Sequence, residues 1–151
     1  MLALALALVL DCKPVEFHPF TARGITKRQL TLDVTKKGMT LKEKGAVLWT
    51  TEQYFFAVMI AEDDSWVAAK GPYPIGSIFI APAARGARPV LVDPMEHLTE
   101  EEKKRVPETS CGTSWFGGWK NTPKALELTV NQGSDAPAFT LHVKPDGSVS
   151  R

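Results

Sequence analysis

The sequence predicts a mainly β fold, α+β at the margin, arranged as an antiparallel β-sandwich or a partly open barrel of about eight to nine short strands. Three observations lead to this prediction. Apolar and polar residues alternate with a period of two in several short runs. Eleven glycines and eleven prolines indicate many turns and few long helices. Hydrophobic residues make up 44% of the 151 residues, an ordinary composition for one packed domain.

The first half of the chain contains four candidate strands separated by short turns. Residues 29–35 alternate, and the turn at Lys36-Lys37-Gly38 returns the chain over 39–43. The runs 46–51 and 54–61 follow closely. The second of them is apolar on both faces, which is typical of a strand that is covered on both sides of its sheet.

The second half adds further strands with clear turn signals between them. The candidate strands are 66–69, 77–80, 89–92, 125–130 and 138–143. The last two are expected to pair across 131–135, and Pro145-Asp146-Gly147 is a further turn signal.

One surface helix is predicted near 94–105. Asp93 is the expected N-cap, Pro94 suits the first helical position, and Glu96 completes an acidic variant of the capping box. The helix is expected to end before Val106-Pro107, because proline disfavours helix in the residue before it. Its expected i,i+4 ion pairs are Glu100–Lys104 and Glu101–Arg105.

Residues 1–12 precede the single β-rich domain expected over 13–151 and allow two interpretations. Ten uncharged residues form the apolar core of a signal peptide, or an N-terminal strand with leucines on one face. The run is shorter than the roughly 20 apolar residues of a membrane span, so no transmembrane segment is expected. Secretion or the cell envelope is favoured over an intracellular assembly.

The two cysteines, Cys12 and Cys111, lie far apart in the sequence. In an oxidising compartment they would form a disulfide that links the N-terminal segment to the loop near residue 111. In the cytosol they would remain two thiols.

A tryptophan- and glycine-rich loop over 106–123 is the first candidate binding site. Trp115, Phe116 and Trp119 lie among three glycines, and aromatic faces can stack on sugars or on a partner's side chains. The alternative is that these aromatic side chains plug one end of the sheet. If they are exposed, they form the contact surface.

Basic residues provide the second candidate site. Seven of them occur between residues 23 and 44: Arg23, Lys27, Arg28, Lys36, Lys37, Lys42 and Lys44. On one face of a hairpin they could meet an anionic partner, with Lys36 and Lys37 at its turn. The alternative is edge-strand protection by lysine. The segment Arg85-Gly86-Ala87-Arg88 is a second, smaller basic loop.

Motifs for catalysis, metals and cofactors are lacking in the sequence. His18, His97 and His142 are scattered, and no Cys/His pair has zinc spacing. Gly112-x-Ser114 is not a nucleophile elbow, because Phe116 stands where that motif needs glycine. No catalytic residue, metal ligand or cofactor is therefore predicted.

These observations favour a non-enzymatic binding or structural β-domain, exported or part of a larger assembly, that contacts a partner through the loop 106–123. The partner would be a protein or a saccharide, since a net charge of +1 disfavours nucleic acid. The alternative is a small carbohydrate-recognising domain or enzyme with a polar site assembled from distant residues such as His18, Asp93 and Ser114.

Overall fold

Strands dominate the molecule. The computed structural model describes residues 16–53, 55, 57–70, 78–105, 108–109, 112–113, 116–122, 124–134 and 136–151, and only the backbone over 108–119. Strands far outnumber helices in the described part of the chain, so the prediction of a mainly β fold is confirmed. Among the described helices, none has the length and apolar character needed to cross a bilayer.

Three four-stranded sheets follow one another along the chain, each an antiparallel meander in sequence order. The first sheet contains β1 (Phe20–Arg23), β2 (Leu30–Thr35), β3 (Gly38–Glu43) and β4 (Ala46–Thr51). The second contains β5 (Ala57–Ile60), β6 (Trp66–Lys70), β7 (Ile78–Pro82) and β8 (Val90–Val92). The short strands β9 (Glu108–Thr109) and β10 (Gly112–Thr113) pair with each other. The third sheet contains β11 (Phe116–Asn121), β12 (Leu126–Val130), β13 (Phe139–Val143) and β14 (Val149–Ser150).

The second sheet is the middle layer of a three-layer stack. Successive residues of β6 belong to different hydrophobic cores: Val67 to the core shared with the first sheet, and Trp66 to the core shared with the third. Phe79 and Ile80 divide in the same way on β7. Because side chains alternate along a strand, each face of this sheet packs against a different neighbour.

The core between the first and second sheets is partly aromatic. The Phe79 ring lies 5.6 Å from that of Trp49 and 5.4 Å from that of Phe55, centroid to centroid, in tilted arrangements. The Trp49 indole N–H also donates to the Pro82 carbonyl at 3.0 Å. This contact fixes β4 of the first sheet against β7 of the second.

Apart from Trp66, the described residues that are buried in the core between the second and third sheets are aliphatic. It is formed by inward residues of both sheets, among them Ile78, Ile80, Leu126, Leu128, Leu141 and Val143. The Asn121 side-chain amide donates to the Ile60 carbonyl at 3.2 Å, which joins the ends of β11 and β5.

Both outer sheet faces are polar. In β2, Leu30, Leu32 and Val34 are buried, whereas Thr31 and Asp33 on the opposite face are half-buried. The third sheet repeats this alternation in β12 and β13. The stack of sheets therefore ends in hydrated surfaces on both sides.

The predicted surface helix near 94–105 is present, but it is divided into two segments. A 3₁₀ helix spans Pro94–His97, and a separate α-helix, α1, spans Glu100–Arg105. Asp93 caps the first as predicted, accepting the Met95 N–H at 3.0 Å. The ion pairs of α1 have i,i+3 spacing instead of i,i+4: Lys103–Glu100 at 3.0 Å and Lys104–Glu101 at 3.9 Å.

The strand count also exceeds the prediction. The described residues contain fourteen strands instead of eight or nine, because β1, the pair β9–β10, β11 and β14 were not predicted. The segment expected to be a tryptophan-rich loop includes the six-residue strand β11. Residues 1–15 lie outside the described part, so both interpretations of the N-terminal segment stay open.

Candidate functional site

The predicted aromatic contact residues lie on or beside β11. Trp115 lies outside the described residues, and only the backbone is described for Phe116 and Trp119. Phe116 pairs with Val130 and Trp119 with Leu128, with a register irregularity between Phe116 and Gly118. β11 is an end strand of the third sheet. The contact role of these aromatic residues stays a prediction.

The predicted disulfide also stays a prediction, because Cys12 and Cys111 both lie outside the described residues.

Lys36 and Lys37 are exposed in the two-residue turn between β2 and β3. Lys37 borders a groove of about 240 Å³ on the outer face of the first sheet, together with Asp33, Thr35 and Thr40. This turn is at the opposite end of the sheet from the β1–β2 loop and the β3–β4 turn. The structure thus separates Lys36 and Lys37 from Arg23, Lys27 and Lys44 instead of gathering all of them on one face.

A larger cavity lies at the other end of the first sheet, between the β1–β2 loop and the β3–β4 turn. Its volume is about 440 Å³, and its lining residues are Arg23, Gly24, Ile25, Thr26, Gln29, Leu30, Thr31, Lys44 and Gly45. This described lining contains two cationic side chains, three hydrogen-bonding side chains and no carboxylate. Such a set of groups is suited to an anionic ligand.

Left-handed backbone shapes this cavity. Gln29, Lys44 and Gly45 have φ values of 53°, 50° and 84°. The Lys44 N–H donates to the Gln29 carbonyl at 3.3 Å, which holds the turn against the loop. Two consecutive left-handed residues make a tight turn between β3 and β4, so that the Lys44 side chain lies at the cavity.

Arg28 fixes the loop behind the cavity to the second sheet. Its guanidinium donates to Glu43 Oε1 at 2.7 Å, to the Asp64 carbonyl at 2.7 Å and to the Ala83 carbonyl at 2.6 Å. The hydrogen bond with Arg28 lowers the pKa of Glu43, and the same bond raises the pKa of Arg28. Glu43 is therefore held as a carboxylate whose charge is already neutralised by Arg28.

Asp64 supports the same loop from a fully buried position with a left-handed backbone. Its Oδ2 accepts the Thr26 hydroxyl hydrogen, and also the Thr26 N–H at 3.3 Å. Its Oδ1 has no hydrogen-bond partner among the described residues and lies against Gly24. This contact leaves no room for a side chain at position 24.

The second basic loop meets this end of the first sheet. The Gly86 N–H donates to the Leu48 carbonyl of β4 at 3.0 Å. The positive charge of Arg85 contributes to the lowered pKa of Glu43, which places its guanidinium in the same electrostatic environment. We call the surface formed by Arg23, Lys27, Arg28, Lys44 and Arg85 the basic end.

The residues of the alternative polar site have other neighbours. His18 is exposed, with Nε2 3.9 Å from Glu16 Oε2. Asp93 is occupied as the cap of the 3₁₀ helix, and Ser114 lies outside the described residues. His97 is exposed in the last turn of the 3₁₀ helix. The described contacts do not bring His18 and Asp93 together.

Comparison with known proteins found no match for this chain among family models, curated proteins or solved structures.

Proposed function

We propose that this protein is a binding domain whose basic end takes an acidic or sulfated saccharide. The observation that supports this most is the cavity between Arg23 and Lys44, whose described lining offers cations and hydroxyl and amide groups without a carboxylate. Charged groups of the ligand would pair with the two cations. Its hydroxyl groups would exchange hydrogen bonds with Thr26, Gln29 and Thr31.

Cationic side chains outside the cavity lining add to the positive charge around this site. The basic end gathers five cationic side chains from three loops. The described carboxylates beside them are Glu43, paired with Arg28, the buried Asp64, and Asp33, which is paired with Lys42 and also close enough to Arg23 for that charge to lower its pKa. A local excess of positive charge on a nearly neutral molecule attracts anions to one surface. Salt should weaken this attraction, because exposed charges are screened over about 10 Å at 0.1 M ionic strength.

The size of the cavity favours a saccharide unit over a flat macromolecular surface. A volume of about 440 Å³ lies within the range of small-ligand sites, roughly 300–1,000 Å³. Ile25 is 80% exposed at its border and offers an apolar surface to the face of a sugar ring.

The partner contact proposed for residues 106–123 belongs to the same binding role. β11 is an end strand of the third sheet in the described part of the chain, so one row of its backbone groups faces away from β12. Trp115, Phe116 and Trp119 would then contact a protein partner beside a newly paired strand. Trp119→Ala should reduce partner capture and leave saccharide binding at the basic end unchanged.

Calorimetric titration with a sulfated tetrasaccharide tests the proposal. Lys44→Glu should weaken binding at least about tenfold, equal to about 1.4 kcal/mol, because it removes a cation and adds a repulsive charge. Lys36→Glu is the matched control at the opposite end of the sheet and should change affinity little. Equal losses in the two variants, or equal binding of an uncharged tetrasaccharide, would contradict the proposal.

A further inference from the structure

Three side chains with complementary chemistry lie in one row across the outer face of the third sheet. In the strand register, Glu127 pairs with His142, and His142 pairs with Ser150. The residues that flank Glu127 and His142 along their strands are buried, so these two side chains lie on the outer face. Directly paired residues share a face, which puts Ser150 beside His142.

The imidazole of His142 is oriented in a specific way within this row. Its Nδ1 is the nitrogen that faces Glu127, 3.9 Å from Oε1. The two side chains are 37% and 33% exposed, so they are partly shielded and still accessible. A carboxylate on the Nδ1 side leaves Nε2 as the nitrogen available to a serine hydroxyl, as in the acid–base–nucleophile order of serine hydrolases.

A groove lies over the row. Its volume is about 420 Å³, and its lining includes Glu127, His142 and Ser150 together with Lys124 and Lys144. The described lining of the groove therefore includes two cationic side chains. Positive charge near a reacting carbonyl stabilises the oxyanion that forms on it.

The geometry points to a second functional site, in which Ser150 attacks small carboxylic esters with His142 as general base and Glu127 as the positioning residue. The Ser150 hydroxyl oxygen bonds to the ester carbonyl carbon while His142 Nε2 takes its proton. The carbon–oxygen bond to the alcohol then breaks, and the alcohol leaves with that proton. Water attacks the acyl-serine in the same way and releases the carboxylic acid and the free hydroxyl.

This site is separate from the basic end and does not depend on the proposed function. Like the alternative considered from the sequence, it is a polar site assembled from distant residues. Its residues are Glu127, His142 and Ser150, and they replace the His18, Asp93 and Ser114 that were expected there. Activated esters with good leaving alcohols are the expected substrate class, because a site open to solvent is better suited to them than to stable amides.

Hydrolysis of p-nitrophenyl acetate by the full chain is the first test. Ser150→Ala should lower kcat/KM at least about 100-fold, and His142→Gln by a similar factor. Thr140→Ala removes a hydroxyl from the same outer face without touching the groove lining and should keep the original rate. If Ser150→Ala retains the rate, the hydrolysis comes from the imidazole alone and the proposal is overturned.

Two further readouts separate the chemical role of the row from a structural one. A fluorophosphonate ester should attach to Ser150, located by mass spectrometry, and His142→Gln should suppress the labelling. Glu127→Gln should lower kcat and leave KM unchanged, since the lost carboxylate orients the His142 imidazole and does not hold the substrate. Labelling that is independent of His142, or a Glu127→Gln change confined to KM, would overturn the assigned roles.

Discussion

At the scale of single residues, Arg28 forms hydrogen bonds between the first and second sheets that no signal in the sequence indicates. In the sequence it is one of seven similar basic residues between positions 23 and 44. In the structure its guanidinium joins Glu43 of β3 to two carbonyls that flank the second sheet, those of Asp64 and Ala83. The five donors and planar shape of arginine allow this, whereas a lysine could not reach the same three acceptors.

Arg28→Met should therefore destabilise the fold. The change leaves two carbonyls and one carboxylate without their donor, at a cost of about 2 kcal/mol in the free energy of unfolding. Urea unfolding followed by tryptophan fluorescence measures this cost. Lys27→Met, at an exposed neighbouring position, is the control, and an equal loss there would show that Arg28 contributes only its charge.

Gly24 is a second residue whose identity is set by packing. A Cβ built on Gly24 would lie 2.8 Å from Asp64 Cγ and overlap its carboxylate oxygens. Gly24→Ala should cost about 1–3 kcal/mol, as overpacking of a buried site does. At Gly45, φ is 84° and a Cβ would meet nothing within 4 Å, so Gly45→Asn should cost less. If Gly45→Asn lowered the midpoint of thermal unfolding more than Gly24→Ala does, this account would be refuted.

At the scale of elements, the interruption between the 3₁₀ helix and α1 has a local cause. The Thr99 hydroxyl accepts the Glu102 N–H at 3.2 Å, and Glu102 Oε2 accepts the Thr99 N–H at 2.8 Å. These reciprocal bonds form a capping box that starts a new helix at residue 100. The same Glu102 carboxylate binds the Arg151 guanidinium, which lies 4.4 Å from the centre of the Phe139 ring.

Thr99→Ala should destabilise this region by about 1 kcal/mol, because the helix loses its N-cap hydroxyl. The measurement is the midpoint of thermal unfolding together with hydrogen exchange of the α1 amides. Thr50→Ala is a suitable control, because Thr50 is exposed. Thr122→Ala is not, because the Thr122 hydroxyl also makes turn contacts.

The stability that comes from Glu102 should depend on pH. Its hydrogen bond with Arg151 is the main reason that its pKa falls from 4.5 to about 2. A carboxyl group with a lowered pKa in the folded state stabilises the fold above its unfolded pKa, and this contribution is lost as the pH falls from 4.5 towards 2. The stability difference between the protein and Glu102→Gln should shrink over that range in acid titrations, and a constant difference would contradict this.

The accuracy of the sequence prediction for each element depends on how regular the pattern of its residues is. β2 and β3 alternate cleanly around a lysine-lysine-glycine turn, so sequence reasoning located them well. β11 was missed because Phe116-Gly-Gly-Trp119 has no period-two pattern and glycine disfavours strands. The helix break could have been found, since Thr99-x-x-Glu102 is itself a capping-box signature.

The basic end was less predictable than the strands. Arg23 and Arg85 are far apart in the sequence, and only the stacking of the second sheet on the first brings their loops together. Period and propensity describe local structure and contain no information on which loops of different sheets become neighbours.

At the scale of the whole molecule, the two hydrophobic cores depend on one shared sheet. Phe79→Ala should cost about 3–5 kcal/mol, because it leaves a cavity beside Trp49 and Phe55. The second sheet also forms the core that it shares with the third sheet. Hydrogen exchange of the Phe79→Ala variant should therefore show that the amides of β2, in the first sheet, and of β12, in the third, lose protection together. Leu91→Ala, in the same sheet but 48% exposed, should cost no more than about 0.5 kcal/mol. Independent loss of the two outer sheets would show two separate folding units.

The order of the three sheets along the chain also governs how the protein emerges from the ribosome. The first two sheets are complete at residue 92, whereas the third begins at residue 116. Translation at about 5–20 residues per second then separates their assembly by a few seconds. During that interval the face of the second sheet that carries Trp66, Ile78 and Ile80 has no covering layer. We expect nascent chains at this stage to be the form of the protein that chaperones bind best. We also expect them to be the form that aggregates most readily.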